Sequence, residues 1–157
     1  PYYLAQCAQR YGYNPEIILA GRRMNDGMGD YVATQVIKSM LKKGIQVLNS
    51  KILILGFTFK ENCPDVRNTK VIDIYHSLEE YNVNITVFDP WAEPSIVEQE
   101  YGISVTNELP NENFDSIVLA VAHDKFKDID ICSWAKDKSV IFDVKSILPK
   151  ELVDGRL

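Results

Sequence analysis

The sequence has few cysteines, few glycines and no long apolar run. Its three cysteines, Cys7, Cys63 and Cys132, are an odd number without Cys-x-x-Cys spacing. This pattern argues against a disulfide framework and against a zinc site, so we predict no metal ligands. No stretch approaches the roughly 18 apolar residues that cross a bilayer, and the first residues do not resemble a secretory signal peptide. We therefore predict a cytoplasmic protein that does not contact a membrane.

Basic residues are outnumbered as well. The chain has 17 lysines and arginines against 22 aspartates and glutamates, a formal net charge of -5, which argues against binding to nucleic acid. Contents of 46% apolar and 25% charged residues are those of an ordinary globular protein, here one domain with an appendage. The chain begins at "PYYLAQCAQR" without a methionine, so we interpret it as part of a longer polypeptide.

A long helical pattern occupies residues 14–44. It opens with Asn14 as the predicted N-cap and Pro15 at the first helical position, and it closes at Gly44. Apolar residues recur mostly at three- and four-residue steps, at Ile17, Ala20, Met24, Met28, Tyr31, Ile37 and Leu41. The pattern predicts one very long helix or two helices joined near Gly27 and Gly29, which bridge domains or pack against a second subunit. The alternative is two surface helices with a loop at 26–30.

From Lys51 onward, short apolar runs alternate with amphipathic stretches. The predicted strands are 51–56, 84–89, 116–121 and 139–144, the predicted helices are 69–81 and 92–102, and a shorter helical crossover is predicted at 124–137. This alternation predicts an open, doubly wound parallel sheet of the α/β class. Ligands of such sheets bind outside the carboxyl ends of the strands, so the residues after each run are candidates for a site.

The turn after the first run reads "GFTFKENCPDVRN". A dinucleotide turn is rich in glycine because a pyrophosphate must approach the backbone closely, whereas bulky aromatic residues follow Gly56 here. The turn is therefore a poor fit for a nicotinamide cofactor. Two interpretations stay open. Either Lys60 contacts a phosphate while Phe59 packs on a base or sugar, or Lys60 is a solvated loop residue and Asp65 forms a local ion pair with Arg67.

The stretch "GFTFKENCPDVRNTK" resembles the signature that opens the C-terminal domain of the UDP-glucose/GDP-mannose dehydrogenase family. That signature is Gly-x-x-Phe-Lys, followed by an aspartate and an arginine. Upstream, "PYYLAQCAQRYGYNPEIILAGRRMNDGM" resembles the family's central helical region, especially in the UDP-N-acetylhexosamine dehydrogenase branch. The resemblance covers the whole chain. It implies that 1–48 is a long-helix dimerisation segment and that 49–157 is a Rossmann-like UDP-sugar-binding domain.

Members of this family use NAD to oxidise the C6 alcohol of a nucleotide sugar to a carboxylate through a cysteine-bound intermediate. The resemblance implies a UDP-N-acetylhexosamine as substrate and a uronic acid for surface polysaccharide synthesis as product. It also implies a homodimer through the long helix and NAD held mainly by a domain outside this chain. The family's nucleophilic cysteine lies upstream of the position of Pro1, so no cysteine here is predicted to be catalytic, and the chain alone is expected to be inactive.

The resemblance implies a set of substrate-binding residues: Phe59, Lys60, Arg67, Lys145, Arg22 and Asn25. We expect Arg67 to order the turn more than to touch the ligand. Lys145 stands where the family carries a ligand-binding arginine, and a lysine cannot reproduce a bidentate contact. Arg22 and Asn25 lie on the long helix, where they face either the substrate or a neighbouring subunit, or else solvent.

The roles of several further residues stay open. Cys63 lies in a loop near cations, but no base adjoins it in sequence, so we predict no catalytic role. Cys7 and Cys132 are predicted to be core thiols. Asp89 stands where a dinucleotide fold carries a ribose-binding acid, although the Pro-Trp that follows favours a turn-forming role. His123 either touches the ligand or caps the next helix.

Three functions are compatible with these residues. The first is the substrate-binding part of a nucleotide-sugar dehydrogenase, and the second is a non-catalytic nucleotide-binding or regulatory module. The third is a complete small reductase that binds NAD at its own turn. The glycine-poor turn disfavours the third. The first two differ in what precedes Pro1.

Overall fold

A helical start is followed by alternating strands and helices. The computed structural model describes residues 2–157. The α-helices are α1 (Tyr2–Arg10), α2 (Glu16–Asp26), α3 (Met28–Lys42), α4 (Val71–Glu79) and α5 (Pro94–Tyr101). The strands are β1 (Lys51–Leu55), β2 (Asn84–Phe88), β3 (Phe114–Leu119), β4 (Ala135–Asp143) and β5 (Gly155–Arg156). Short 3-10 helices span Asp124–Lys127, Ile131–Trp134 and Lys150–Leu152.

The strands form one parallel sheet of five strands in the order β2-β1-β3-β4-β5. After β1, the chain adds β2 on one side of that strand and then crosses over to add β3 on its other side, so the direction of winding reverses between β1 and β3. Such a switch point opens a crevice at the carboxyl ends of the strands. The predicted open, Rossmann-like parallel sheet is confirmed. The prediction missed β5, because a pair of residues carries no readable periodicity.

Gly56 lets the ends of β1 and β3 approach each other. Its φ of +87° lies in the left-handed region, and a Cβ built on it would lie 2.5 Å from Cβ of Val121. A side chain at this position would therefore meet both backbone strain and a clash. The glycine of the turn is required by strand packing at the switch point, without any contribution from a ligand.

Helix α3 belongs to the core of the sheet. Its buried residues share one apolar cluster with β1 and β3: Val32, Ala33, Val36, Ile37, Met40, Ile52, Ile54 and Val118. At Gly29, an added Cβ would lie 2.5 Å from Cβ of Asp73, so only glycine permits the close crossing of α3 over α4. The core thus extends to the N-terminal side of residue 49, while the division of the chain between 48 and 49 stays a prediction.

Helices α2 and α3 join at Gly27 with almost no interruption. Gly27 has near-helical dihedral angles, φ -85° and ψ -3°, and its N–H donates to the Arg23 carbonyl. The predicted long helical segment is therefore confirmed, as two helices joined at Gly27, and the loop at 26–30 is wrong. The predicted N-cap at Asn14 is also wrong, since α2 begins at Glu16 after Pro15, whose ψ of 71° is not helical.

The predicted apolar stripe of the long helix mostly faces away from the sheet. Helix α2 buries none of its residues, and Ile17 and Met24 are 89% and 68% exposed. Tyr31 and Leu41 of α3 are exposed as well, whereas Ile37 lies in the core. Within residues 2–157, no helix is long and apolar enough to span a membrane.

The segment 124–137 is not the predicted helical crossover. It forms two 3-10 helices and then enters β4 at Ala135. Phe126, Ile131 and Trp134 all reach the second apolar core, on the sheet face opposite α3, and their spacing does not match one face of an α-helix. The Asp130 carboxylate also accepts the Cys132 N–H at 3.1 Å, which caps a short turn.

Candidate functional site

A buried carboxylate at the end of β2 holds the loop that follows β1, residues 56–68, here called the β1 loop. Asp89 Oδ2 accepts the backbone N–H groups of Phe57 at 2.6 Å and Thr58 at 3.0 Å. Its Oδ1 accepts those of Trp91 at 2.7 Å and Ala92 at 2.9 Å. One fully buried side chain therefore fixes the first residues of two loops at the carboxyl edge of the sheet.

These contacts keep Asp89 ionised. Burial by itself would raise its pKa, but hydrogen bonds from His123, Phe57, Thr58 and Trp91 outweigh burial and hold the pKa well below the ordinary value. The predicted turn-forming role is confirmed by the bonds to Trp91 and Ala92. The other interpretation, a ribose-binding acid, is wrong, because both oxygens are occupied by protein donors and the side chain has no exposed surface.

His123, at the end of β3, holds the β1 loop from the other side. Its Nε2 lies 3.1 Å from Asp89 Oδ2 and 3.2 Å from Thr58 Oγ1, and its Nδ1 accepts the Asn62 N–H at 3.0 Å. His123 stands at the N-cap position of the 3-10 helix that follows, and its carbonyl accepts the Phe126 N–H at 3.0 Å, but its buried imidazole makes no capping bond. Contact between His123 and a ligand stays a prediction.

The β1 loop presents Phe59 and Lys60 outward on a fixed backbone. The Thr58 hydroxyl donates to the Lys60 carbonyl at 3.0 Å, and the Phe59 N–H donates to the Asp65 carbonyl at 2.8 Å. The Phe59 side chain is 58% exposed and Lys60 is exposed. The Lys60 ammonium makes no hydrogen bond or ion pair with any of residues 2–157. The loop therefore offers a ring and an unpaired cation to the surroundings.

Asp65 and Arg67 close the β1 loop on itself. Arg67 Nε donates to Asp65 Oδ1 at 2.9 Å, and Nη2 donates to Oδ2 at 2.8 Å. The side-chain and backbone hydrogen bonds from Arg67 lower the pKa of Asp65 to about 2. The predicted local ion pair is confirmed, while contact between Arg67 and a substrate stays a prediction.

Two clefts flank the β1 loop and α4. The first, at the switch point, has a volume of about 120 Å³, is lined by Thr58, Val121 and Val144 among others, and brings together Phe59 and Lys145. We call it the switch-point crevice.

The second, here called the helix cleft, lies between α2 and the segment 68–73. It measures about 750 Å³ and contains Arg22 and Asn25. The predicted site residues are thus divided between two clefts, and Lys60 and Arg67 line neither of them.

Lys70 joins the two clefts and was missed by the sequence reasoning. It lines both of them, and its Nζ donates to Asp26 Oδ1 at 2.9 Å and to Asp73 Oδ2 at 3.0 Å. The hydrogen bond from Lys70 is the main cause of the lowered pKa of Asp26. Only the partner on α4 is near in sequence, so the link from Lys70 to α2 has no sequence signal. This ion pair ties the long helix to the end of the β1 loop.

The cysteine and acidic side chains of residues 2–157 form no metal site. The described part of the chain contains no group of three or more His, Cys, Asp or Glu side chains that could hold a metal. Cys63 and Cys132 are half-buried. Cys7 is exposed on α1, so its prediction as a core thiol is wrong.

The turn after β1 does not fit NAD. Phe57 is fully buried and packs edge-on against Tyr101, with ring centroids 5.4 Å apart, where a pyrophosphate would need open backbone. The acid that would take the ribose, Asp89, is already fully hydrogen-bonded. Residues of this chain therefore give no basis for a dinucleotide site at this turn.

The strand order and the crevice are those of a Rossmann-like nucleotide-binding domain. Its first turn, in the β1 loop, does not fit a dinucleotide. Residues 53–150 match the UDP-glucose/GDP-mannose dehydrogenase family, UDP binding domain. The chain belongs to this family, as the signature predicts.

Its relatives include UDP-N-acetylhexosamine enzymes. The chain is 52% identical to the UDP-N-acetyl-D-glucosamine 6-dehydrogenase of Salmonella typhi and 49% identical to that of Pseudomonas aeruginosa, over 100% of this chain and 38% of each relative. It is 43% identical to Protein CapL of Staphylococcus aureus, over 94% of this chain and 35% of that protein. The chain thus spans well under half the length of these relatives.

Solved structures share the fold. A UDP-glucose dehydrogenase from Pyrobaculum islandicum matches with a TM-score of 0.78 at 20% identity, over 98% of this chain and 34% of that one. A UDP-N-acetyl-mannosamine dehydrogenase from S. aureus matches with a TM-score of 0.71 at 22% identity, over 94% of this chain and 33% of that one. At these identities the likeness shows the architecture alone.

Proposed function

We propose that this chain is the UDP-sugar-binding part of a cytoplasmic, NAD-dependent nucleotide-sugar 6-dehydrogenase. The complete polypeptide oxidises the C6 alcohol of a UDP-N-acetylhexosamine to a uronic acid for surface polysaccharide synthesis. The family match over 53–150 supports this proposal. The observation that carries it is the β1 loop, in which buried residues fix the backbone while Phe59 and the unpaired Lys60 face outward.

In this proposal, the residues of the chain bind and orient the substrate. Lys60 donates a charge-assisted hydrogen bond to a phosphate or sugar oxygen, which is stronger than a bond between neutral groups. Phe59 offers an apolar face to the base or ribose, and Lys145 adds positive charge in the same crevice. Arg22 and Asn25 reach the substrate from the helix cleft. NAD supplies the oxidant and is held by residues outside this chain.

The N-acetylhexosamine is proposed from the relatives. Two relatives that align over the entire chain both carry UDP-N-acetyl-D-glucosamine in their names. UDP-N-acetyl-D-mannosamine dehydrogenases of Methanococcus species are more distant, at 29% to 35% identity. UDP-N-acetylglucosamine is therefore the first substrate to test.

We also propose a homodimer through the long helix. Exposed apolar side chains line the N-terminal helices, with Leu4 64%, Ile17 89% and Met24 68% exposed. Single exposed apolar residues are ordinary, but several on consecutive helices are typical of a surface that is covered by protein. A second copy of the chain would cover the same residues on both partners.

Two measurements test the proposed function. Calorimetric titration of the chain with UDP should show weak binding at most, because the chain holds only part of the site and association costs motional freedom. The complete polypeptide, given NAD and UDP-N-acetylglucosamine, should produce NADH, whereas residues 1–157 alone should produce none. UDP binding without NADH production by the complete polypeptide would favour a non-catalytic nucleotide-binding module. NADH production by the chain alone that disappears in Cys63→Ser would overturn the exclusion of Cys63.

A further inference from the structure

The segment that carries Lys60 is anchored on both of its sides. On the N-terminal side, Asp89 accepts the N–H groups of Phe57 and Thr58. On the C-terminal side, His123 Nδ1 accepts the Asn62 N–H at 3.0 Å. Lys60 lies between these anchors, so the position of its Cα depends on both.

Asn62 adopts a conformation that needs such an anchor. Its φ of 54° is in the left-handed region, which is uncommon for non-glycine residues, although asparagine adopts it more readily than most. Its side chain exchanges two hydrogen bonds with Asp124, at 2.6 Å to the carboxylate and 3.0 Å from the backbone N–H. His123 and Asp124 are consecutive, so the segment after β3 hydrogen-bonds both the backbone and the side chain of Asn62.

The hydrogen bonds select one form of the His123 ring. Because Nδ1 accepts an N–H, it carries no proton, and the proton of the neutral imidazole is therefore on Nε2. That N–H points to Asp89 Oδ2 at 3.1 Å and to Thr58 Oγ1 at 3.2 Å. The ring is therefore bonded to Thr58 and Asn62, which lie on either side of Lys60. The Thr58 hydroxyl in turn donates to the Lys60 carbonyl.

We propose that His123 is a positioning residue of the nucleotide site, and that its neutral Nε2–H imidazole sets the conformation of residues 57–62 and so aims Phe59 and Lys60 at the ligand. This inference rests on the proposed function. His123 does not touch the substrate, because its side chain is fully buried. It acts through the backbone of the β1 loop.

Packing and hydrogen bonding of His123 can be separated by substitution. The ring also packs against Phe126, with centroids 5.4 Å apart, so a loss of packing alone would lower stability. In His123→Asn, the amide oxygen lies where Nδ1 was and can still accept the Asn62 N–H. In His123→Gln, the longer amide reaches toward Asp89 and leaves Asn62 without its acceptor. Both variants lose the ring, so they differ mainly in the anchor of Asn62.

Calorimetry with UDP compares these variants in the complete polypeptide. We expect His123→Gln to weaken UDP binding by about tenfold, the equivalent of one hydrogen bond to the loop, and His123→Asn to recover most of that loss. The matched control is His76→Gln, because His76 is the other histidine of the chain, lies exposed on α4 and contacts Glu79. The control should bind UDP as wild type does.

Kinetics of the complete polypeptide distinguish positioning from general destabilisation. His123→Gln should raise the KM for the UDP-sugar by about tenfold while the KM for NAD changes little. A rise in both constants, or equal UDP binding by His123→Gln and wild type, would overturn the positioning role. A complete wild-type polypeptide that does not bind UDP would instead overturn the proposed function, and this inference with it.

A measurement on the wild-type chain covers the case in which His123→Gln does not fold. Nitrogen-15 NMR of the two imidazoles should show His123 with an unprotonated Nδ1 and a protonated Nε2, and addition of UDP should shift the amide signal of Asn62. A proton on Nδ1 would contradict the proposal, because that nitrogen could not then accept from Asn62.

Discussion

His123 Nε2 lies 3.1 Å from Asp89 Oδ2, and both side chains have no exposed surface. The pair connects the ends of β2 and β3 beneath the β1 loop, so the loop rests on a buried polar network. Such a network is stable only while each member keeps its partners, because an unpaired buried polar group is costly. The stability of the fold and the shape of the site therefore depend on the same residues.

Asp89→Asn should lower the free energy of unfolding by about 3 kcal/mol or more at neutral pH. The substitution removes a buried charge and turns one oxygen into a donor that faces other donors. Urea or guanidinium unfolding measures the change. Asp137→Asn, at an exposed position of β4, is the control and should stay within about 0.5 kcal/mol of wild type. Equal stability of the two variants would show that the network contributes little.

The stabilising effect of Asp89 should depend on pH with a definite sign. Its pKa in the folded protein is below the ordinary 3.8, so its contribution is complete at pH values above 3.8 and is lost as the pH falls through the folded-state pKa. The stability difference between wild type and Asp89→Asn should therefore shrink as the pH falls below about 4. A difference that grows on acidification would contradict the direction of the shift. Asp65 is present in both proteins, so its titration cancels.

Lys60→Ala should weaken UDP-sugar binding by about tenfold or more, since a charged hydrogen bond contributes roughly 1.5 to 3 kcal/mol. The KM or kcat of the complete polypeptide should change accordingly. Stability should change little, because Lys60 is exposed and its charge acts only weakly on Asp65, after the stronger effects of Arg67. Lys38→Ala, at an exposed position of α3, removes the same charge as a control. An unchanged kcat/KM in Lys60→Ala would refute the assignment.

Gly56→Ala should destabilise the fold more than Gly102→Ala does. Both glycines have positive φ, +87° and +69°, but only the Cβ added at Gly56 meets a neighbour, at 2.5 Å from Val121. Gly102→Ala therefore isolates the backbone strain, about 1 to 2 kcal/mol. The excess cost at Gly56, about 1 to 3 kcal/mol, measures the clash at the switch point. Thermal or denaturant unfolding gives both values, and equal costs would mean that Val121 moves aside.

Ile17→Glu should convert the proposed dimer into a monomer. Ile17 is 89% exposed, so the substitution leaves the core intact and places a charge in the surface that a second copy would cover. Sedimentation analysis at high micromolar concentration measures the mass. Lys150→Glu, at an exposed position outside the long helix, tests whether a charge change alone alters association. A wild-type chain that sediments as a clean monomer counts against the dimer.

Sequence reasoning reached the sheet because its signals are local. Each buried strand is an apolar run, and the position of a site follows from the carboxyl ends of such runs. The ion pair between Asp65 and Arg67 was also predictable, since it spans only two residues. The contact between Asn62 and His123 crosses 61 residues, and that between Asp26 and Lys70 crosses 44. No local pattern encodes these pairings. The anchoring of the β1 loop by His123 and the contacts of Lys70 therefore became visible only in three dimensions.

Both carboxylate oxygens of Asp89 are bonded to the protein itself, and this limits which ligands the turn could be redesigned to bind. Glycines at positions 58 and 61 would complete the Gly-x-Gly-x-x-Gly spacing of a dinucleotide fingerprint that starts at Gly56. The carboxylate that should receive a ribose would still be bonded to the turn itself. Releasing that carboxylate would require new partners for His123 and for the start of the loop after β2. A change of ligand class at this domain is therefore a redesign of three loops together, and exchanging the residues of one motif would not achieve it.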